Sequence, residues 1–215
     1  NPARTDPVTG RVVTSFSSGV SPGVVQVYAS AKSDSVKSSP VPFTIASGLP
    51  DSAHFNLGVS QVNYSVVNVS TNALVTVAAG DTFGNPARVG TAVYFTTNAG
   101  YVDPSGSLGA TGPGRTQVSW SLGLNPRPAN GIGFVTARTV NGRGAFVQDT
   151  ARVILSGEPI IDTLVGPFSN FQIEHGLSQS FSFKVADANG NPLSQGTNIA
   201  AQISGTATSQ VALSG

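Results

Sequence analysis

The chain of 215 residues has no cysteine, no methionine and little charge. The absence of cysteine excludes disulfide bonds, thiolate nucleophiles and cysteine-ligated metal sites. Charged residues make up 10% of the sequence, against roughly a quarter in ordinary soluble domains. The formal net charge is +1, without a basic stripe, and this argues against nucleic acid as a partner because phosphate binding needs clustered Lys and Arg.

Long apolar runs are also missing. None approaches the ~20 residues that a membrane-spanning helix requires, so we expect no membrane insertion in this segment. Without methionine, the sequence is expected to be a piece of a longer or processed chain. A surface so poor in charge must be covered by Ser, Thr, Asn, Gln and Gly, as is common in secreted β proteins. We therefore predict an extracellular or bacterial cell-surface location.

What the chain does contain is short runs of strand-forming residues. Its 25 glycines and 14 prolines separate runs that are rich in Val, Thr, Phe, Tyr and Ile, which suit a half-buried pleated surface. Several runs alternate apolar with polar residues, as antiparallel strands with one wet face do. The pattern predicts an all-β fold, with a core that includes Trp120, Phe95, Val118, Phe181 and Phe183.

One phrase occurs twice in the chain. Asp81-Thr82-Phe83-Gly84-Asn85-Pro86 returns as Asp187-Ala188-Asn189-Gly190-Asn191-Pro192, an offset of 187 − 81 = 106 residues, and each copy leads into a Gly-Thr pair. A repeat of that length has the size of a domain. The phrase therefore predicts that one domain type is used more than once.

Weaker repeats indicate where each domain begins and ends. Residues 11–19 resemble 115–123, residues 23–29 resemble 131–137, and residues 45–48 resemble 154–157. These matches predict the second half of a unit at 1–49, a complete unit at 50–158, and the first half of a further unit at 159–215.

These predicted boundaries lead to two further expectations, one for the linkers and one for the half units. The equivalent linkers at 47–51 and 156–160 are short and contain proline, so we expect them to be stiff. Each half unit would expose unpaired strand edges. We therefore predict that 1–49 and 159–215 pair with each other, within one chain or between chains, by strand donation or swapping.

The repeated phrase itself is interpreted as a turn. An aspartate accepts hydrogen bonds from nearby backbone amides, glycine supplies a positive φ, and proline fixes the exit. The structural turn residues are Asp81, Gly84, Asn85, Pro86, Asp187, Gly190, Asn191 and Pro192.

Calcium binding is the weaker alternative for the second copy. Asp187, Asn189 and Asn191 look like the start of a calcium loop, but the twelfth position, where a bidentate glutamate is needed, is Asn198. We therefore favour the turn and predict no cofactor.

Catalytic constellations are not visible in the sequence. His54 and His175 lack a second metal ligand at suitable spacing. There is no Gly-x-Ser-x-Gly elbow, and Glu158 and Glu174 are the two glutamates. We predict that the chain is not an enzyme.

The order of these elements resembles the bacterial immunoglobulin-like domains of the invasin and intimin type. The resemblance rests on strands near 75–79, 90–95, 114–122 and 131–137 around the Asp-x-x-Gly-Asn-Pro phrase. It implies tandem immunoglobulin-like antiparallel β-sandwiches of about seven strands, used in surface proteins. The segment 99–113 is longer and richer in glycine than this pattern.

From the resemblance we predict a structural spacer module of a large surface or secreted protein, whose partners are neighbouring immunoglobulin-like domains. One alternative is an adhesin module that recognises a host protein or glycan through loops 99–113 and 124–131. Another is an accessory sandwich of a secreted glycan-active enzyme. Five aromatic residues are candidates for stacking on sugars; we expect Trp120, Phe95 and Phe134 in the core and Tyr101 exposed for contact, with Tyr94 as the fifth.

Overall fold

The computed structural model describes residues 4–31, 36–67, 71–165, 176–177, 182–200 and 202. These residues form thirteen β-strands. A single 3₁₀ turn, Ser52–His54, accompanies them. The strands are β1 Gly23–Val27, β2 Val41–Ile45, β3 Phe55–Val59, β4 Asn63–Ser65, β5 Asn72–Ala79, β6 Ala92–Thr97, β7 Tyr101–Val102, β8 Ser105–Ser107, β9 Arg115–Ser121, β10 Ile132–Val140, β11 Phe146–Ser156, β12 Ile160–Val165 and β13 Ser182–Ala186.

Two sheets in the middle of the chain form a sandwich. One has the order β3-β5-β9-β7 and the other β4-β11-β10-β6-β8; the pairing is antiparallel except between β4 and β11. Apolar residues of both sheets form one buried cluster that runs from Phe55 to Leu155 in sequence. Trp120 is fully buried within it, and its indole Nε1 donates a hydrogen bond of 2.7 Å to the carbonyl oxygen of Ala99. Val118 and Phe95 belong to the same cluster.

The sandwich has nine strands, two more than the resemblance implied. The additional pair, β7 and β8, comes from the long glycine-rich segment 99–113. β7 extends one sheet by pairing with β9, and β8 extends the other by pairing with β6. The extra length of that segment thus widens both sheets by one short strand each.

Two aromatic residues do not lie where alternation placed them. Phe134 is 42% exposed, because its neighbours on β10, Gly133 and Val135, take the inward positions. Phe183 is 49% exposed; it lies on β13, which pairs with β12 in a sheet of two strands. Phe181, also predicted in the core, and His175 lie outside the described residues.

A separate two-stranded sheet lies on each side of the sandwich in sequence, β1-β2 before it and β12-β13 after it. Residues 11–19 contain no strand, although the segment they resemble in the repeat forms β9. β9 is hydrogen-bonded to β5 and β7. The described part of the first unit offers residues 11–19 no such neighbouring strands. The domain bounds and the pairing of the two half units stay predictions. No described helix has the length and hydropathy to cross a bilayer.

Candidate functional site

Both copies of the repeated phrase form the same turn. In the first copy, the Asp81 backbone N–H donates to the Asn85 carbonyl (2.8 Å) and the Gly84 N–H donates to the Asp81 carbonyl (2.9 Å). Oδ1 of Asp81 accepts hydrogen bonds from the backbone N–H groups of Phe83 and Asn85, both at 3.0 Å. Gly84 has a φ of +78°, a backbone conformation that glycine adopts without strain.

The second copy repeats these bonds to within 0.2 Å. Oδ1 of Asp187 accepts from the N–H groups of Asn189 and Asn191, both at 2.9 Å, and Gly190 has a φ of +75°. The proline that ends each phrase forms an isolated bridge, Pro86 with Gly80 and Pro192 with Ala186.

A third turn in the sandwich has the same geometry without the aspartate. It connects β10 to β11, and Oδ1 of Asn141 accepts from the N–H groups of Arg143 (2.9 Å) and Ala145 (3.0 Å). The Gly144 N–H donates to the Asn141 carbonyl (3.0 Å), and Gly144 has a φ of +77°. A neutral amide therefore suffices for this turn, and the carboxylate of the repeated phrase has another use.

That use is a hydrogen bond to the linker that precedes each unit. Oδ2 of Asp81 accepts from the backbone N–H of Gly48 at 3.0 Å, and Oδ2 of Asp187 accepts from Gly157 at 3.0 Å. Gly48 and Gly157 occupy equivalent places in the two repeated linkers. An asparagine would keep Oδ1 but present an NH₂ group in place of Oδ2, and an NH₂ group cannot accept a hydrogen bond.

The asparagine of each phrase reaches back to the sheet before the linker. Nδ2 of Asn85 donates to the carbonyl of Val20 (2.8 Å), just before β1. Nδ2 of Asn191 donates to the carbonyl of Asn130 (3.0 Å), just before β10. We call Asp81, Asn85, Gly48 and Val20 the first joint.

The second joint consists of the equivalent residues in the later part of the chain: Asp187, Asn191, Gly157 and Asn130. Each joint connects three pieces of chain, since the turn holds both the linker and the sheet that precedes the linker.

The carboxylates of both joints are buried and held by N–H donors. Asp81 is 3% exposed and Asp187 is 5% exposed. Burial alone would raise the pKa of each, but the hydrogen bonds lower it below the ordinary value. For Asp81 the donors that lower the pKa are Gly48, the side chain and backbone of Asn85, and Phe83; for Asp187 they are Gly157, Asn191 and Asn189. Hydrogen bonds to the ionised form stabilise it, so both joints contain a charged carboxylate at neutral pH.

Glycine is needed where the pieces of each joint approach. A Cβ atom on Gly48 would lie 2.9 Å from Cβ of Asp81, and a Cβ atom on Gly131 would lie 2.5 Å from Nδ2 of Asn191. Both distances are shorter than side chains tolerate. At Gly157 the corresponding distance to Cβ of Asp187 is 3.7 Å, which is ordinary van der Waals contact.

Each joint adds contacts of its own. In the first, the backbone N–H of Arg88 donates to the Gly48 carbonyl (2.9 Å) and its Nε donates to the Ser47 carbonyl (3.2 Å). In the second, Nδ2 of Asn63 donates to the carbonyls of Pro192 (2.8 Å) and Leu193 (3.1 Å).

Asn63 is itself held in the second joint. The hydroxyl of Ser156 donates to Oδ1 of Asn63 and also contacts the Pro192 carbonyl. The bonding partners of the two phrases therefore match at the aspartate and the asparagine and diverge elsewhere.

The weak calcium candidate occupies the second joint. The donors described above occupy both carboxylate oxygens of Asp187, and Asn189 enters the turn through its backbone N–H. Within the described ranges, no three His, Asp or Glu side chains are grouped as a metal site would require. The bonding favours the turn interpretation over calcium.

Other candidates lie apart from the joints or at their margin. Tyr101 is 54% exposed on β7. His54 lies beside the first joint, with Nδ1 at 3.4 Å from Oδ1 of Asp51. The contact between the linker glycines and the phrase has one signal in the sequence: a Ser-Gly pair recurs in the linker before each copy of the phrase.

No protein-family model and no curated protein matches the sequence. Among solved structures, the chain is similar to the crystal structure of invasin, a bacterial integrin-binding protein, with a TM-score of 0.47 and 19% identity over 81% of this chain and 34% of that one. It is also similar to the D0-D1 domain of intimin, with a TM-score of 0.35 and 20% identity over 62% of this chain and 64% of that one. The chain thus spans about a third of the invasin structure and less than two thirds of the intimin one. The described residues are all-β and form a sandwich of two sheets that are antiparallel except for the β4–β11 pair. Invasin and intimin, the two proteins of the sequence resemblance, are among the solved structures to which the chain is similar.

Proposed function

We propose that this chain is a spacer segment of a bacterial surface or secreted protein, which holds successive β-sandwich units in a fixed orientation and so projects another domain. The units are those predicted from the repeats, at 1–49, 50–158 and 159–215. The observation that carries the proposal is that both joints use the same two side chains in the same register. Asp81 and Asp187 bind the linker, and Asn85 and Asn191 bind the preceding sheet.

The physical basis of the proposal is resistance to bending. Domains that share a chain move relative to each other by default unless contacts between them restrain that motion. Here a buried carboxylate accepts from the linker, and hydrogen bonds to charged groups contribute about 1.5–3 kcal/mol each. Bending at a joint would break the hydrogen bond between Oδ2 of the aspartate and the Gly48 or Gly157 N–H, while the turn bonds to Oδ1 stay in place. An array of such joints would therefore transmit force and direction along its length.

The proposal is tested by the distance distribution between two spin labels across the first joint. The chain has no cysteine, so Gln26→Cys on β1 and Gln148→Cys on β11, both exposed, provide unique labelling sites. We expect a single narrow distribution by pulsed electron paramagnetic resonance. Asp81→Asn retains the backbone turn bonds to Oδ1 and loses both bonds to Oδ2, from the Gly48 N–H and from Nδ2 of Asn85, so it should broaden the distribution.

The matched control is Asn141→Asp, which makes the reverse change in a turn that does not contact a linker. It should leave the distribution as narrow as in the unmodified chain. A broad distribution in the unmodified chain, or an unchanged one in Asp81→Asn, would contradict the spacer proposal.

A further inference from the structure

The outward face of the five-stranded sheet has an exposed cluster that the joints do not use. Arg138 on β10 pairs with Tyr94 on β6 and with Gln148 on β11, and Val140 pairs with Phe146. Since side chains alternate along a strand, these five residues lie on one face. Tyr94 is 58% exposed and Phe146 is 66% exposed, so both rings are available to a ligand.

The cluster encloses a shallow cavity of about 230 Å³. Its lining residues are Thr91, Ala92, Tyr94, Arg138, Thr139, Val140 and Phe146. Sites for drug-sized ligands measure roughly 300–1,000 Å³, so this cavity has the size for a single small ring. The Arg138 guanidinium lies 4.3 Å from the centroid of the Phe146 ring, and this cation–π contact holds the guanidinium at the cavity wall.

The charge of this face is positive. Arg138 and Arg152 both lie on it, and among the described residues neither has a carboxylate within ion-pair distance. Asp149, on the same strand, points to the opposite face, where its Oδ2 accepts a hydrogen bond of 2.8 Å from the Leu57 N–H. The face also offers hydroxyl groups, including Thr136 and Thr150, which share a hydrogen bond of 2.8 Å.

We propose that this cavity binds a sugar ring that carries a carboxylate, as the end residue of an acidic glycan. Arg138 would hold the carboxylate by paired N–H donors, the geometry in which guanidinium binds carboxylates best. Tyr94 and Phe146 would contact the apolar face of the ring with their π surfaces. The cavity is concave and small, which fits one ring better than a protein surface, since stable protein interfaces need about 1,000 Å² or more. The site is independent of the joints, so it stands or falls separately from the spacer function.

The test is a titration followed by backbone amide NMR shifts, with lactose that carries a terminal sialic acid residue as the probe. We expect saturable shifts at β6, β10 and the start of β11. Lactose alone, which lacks the carboxylate, should bind at least tenfold more weakly. A peptide of six glutamates tests the rival in which the face binds an acidic protein.

Two variants assign the roles within the cavity. Arg138→Gln removes the charge and should weaken binding of the sialylated probe about tenfold, the effect of one lost charge-assisted contact. Phe146→Leu keeps an apolar side chain without a ring and should weaken binding of both the sialylated and the neutral probe. Arg115→Gln, on β9 of the opposite sheet, is the matched control and should bind as the unmodified chain does. Equal binding of lactose, equal binding of the glutamate peptide, or unchanged binding by Arg138→Gln would each overturn the proposal.

Discussion

The two joints share their central hydrogen bonds and differ in the contacts around them. In both, the aspartate binds a linker glycine at 3.0 Å and the asparagine binds a carbonyl of the preceding sheet. The glycine contact is tight at Gly48 and loose at Gly157. The first joint adds Arg88, whereas the second adds Asn63. Two side chains therefore specify the joint, and the residues around them change the number and closeness of its other contacts.

The turn at Asn141 shows what the same loop does without a joint. Its amide supplies the two Oδ1 bonds that shape the loop, and nothing in that loop requires a second acceptor. The hydrogen bond to the linker therefore requires an aspartate at this position, whereas the turn does not. Oδ1 of each aspartate accepts the backbone bonds of the turn, whereas Oδ2 accepts the linker bond together with a bond from Nδ2 of the asparagine in the same phrase.

The largest expected effect comes from removing the whole side chain in one of these turns. Asp81→Ala removes the acceptor of three partly buried hydrogen bonds, from the N–H groups of Gly48, Phe83 and Asn85. A typical hydrogen bond contributes about 0.5–1.5 kcal/mol, so the loss of three should destabilise the sandwich by about 2–4 kcal/mol. Trp120, the single tryptophan, is fully buried, and its fluorescence during urea unfolding measures this change.

Asn141→Ala is the control for that measurement. It removes a side chain from the corresponding position of an exposed turn, and we expect a loss of about 1 kcal/mol or less, the usual effect of a local side-chain bond. Equal destabilisation by the two variants would mean that the carboxylate contributes no more than the turn bonds.

A smaller effect separates the two linkers. Gly48→Ala places a Cβ atom 2.9 Å from Cβ of Asp81, and relieving such overpacking typically costs about 1–3 kcal/mol. Gly157→Ala meets Asp187 at 3.7 Å and should change stability by about 0.5 kcal/mol or less. Spin-label distances across each linker should broaden for the first variant and stay narrow for the second. The reverse order would show that the tight contact at Gly48 is not what closes the first joint.

The sequence predicts the turns, the all-β fold and the burial of Trp120, because each depends on neighbouring residues or on alternation. The partner of Oδ2 is not local: Gly48 precedes Asp81 by 81 − 48 = 33 residues, and no propensity encodes a contact at that distance. The orientation of Phe134 is likewise fixed by the register of β10 and β11. That register is set by the turn at Asn141, which also brings Phe146 beside Arg138 and forms a cluster with no motif in the sequence.

Acid should open both joints while leaving the Asn141 turn intact. The folded-state pKa of Asp81 and of Asp187 is lowered, so their contribution to stability is fully present above the ordinary aspartate value of about 3.9. It is lost as pH falls through the lower folded-state values. Spin-label distances should therefore stay narrow from neutral pH to about pH 4 and broaden below it.

Asp81→Asn together with Asp187→Asn is the control for the acid effect. This double variant lacks both titrating groups, so its distances should be broad already at neutral pH and change little on acidification. If its distances broaden further over the same pH range, the acid effect comes from other groups.

The smallest expected effect comes from removing the contacts that only one of the two joints has. Arg88→Gln removes the Nε bond to the Ser47 carbonyl, and Asn63→Ala removes the bonds to Pro192 and Leu193. Arg88 is exposed, so its side-chain bond contributes about 0.5–1 kcal/mol. Each variant should broaden the distances across its own joint slightly and leave the other joint unchanged, which label pairs placed across each joint measure. If either variant broadens the distances across both joints, the two joints are coupled through the sandwich and do not act independently. Bending at one joint would then be accompanied by bending at the other.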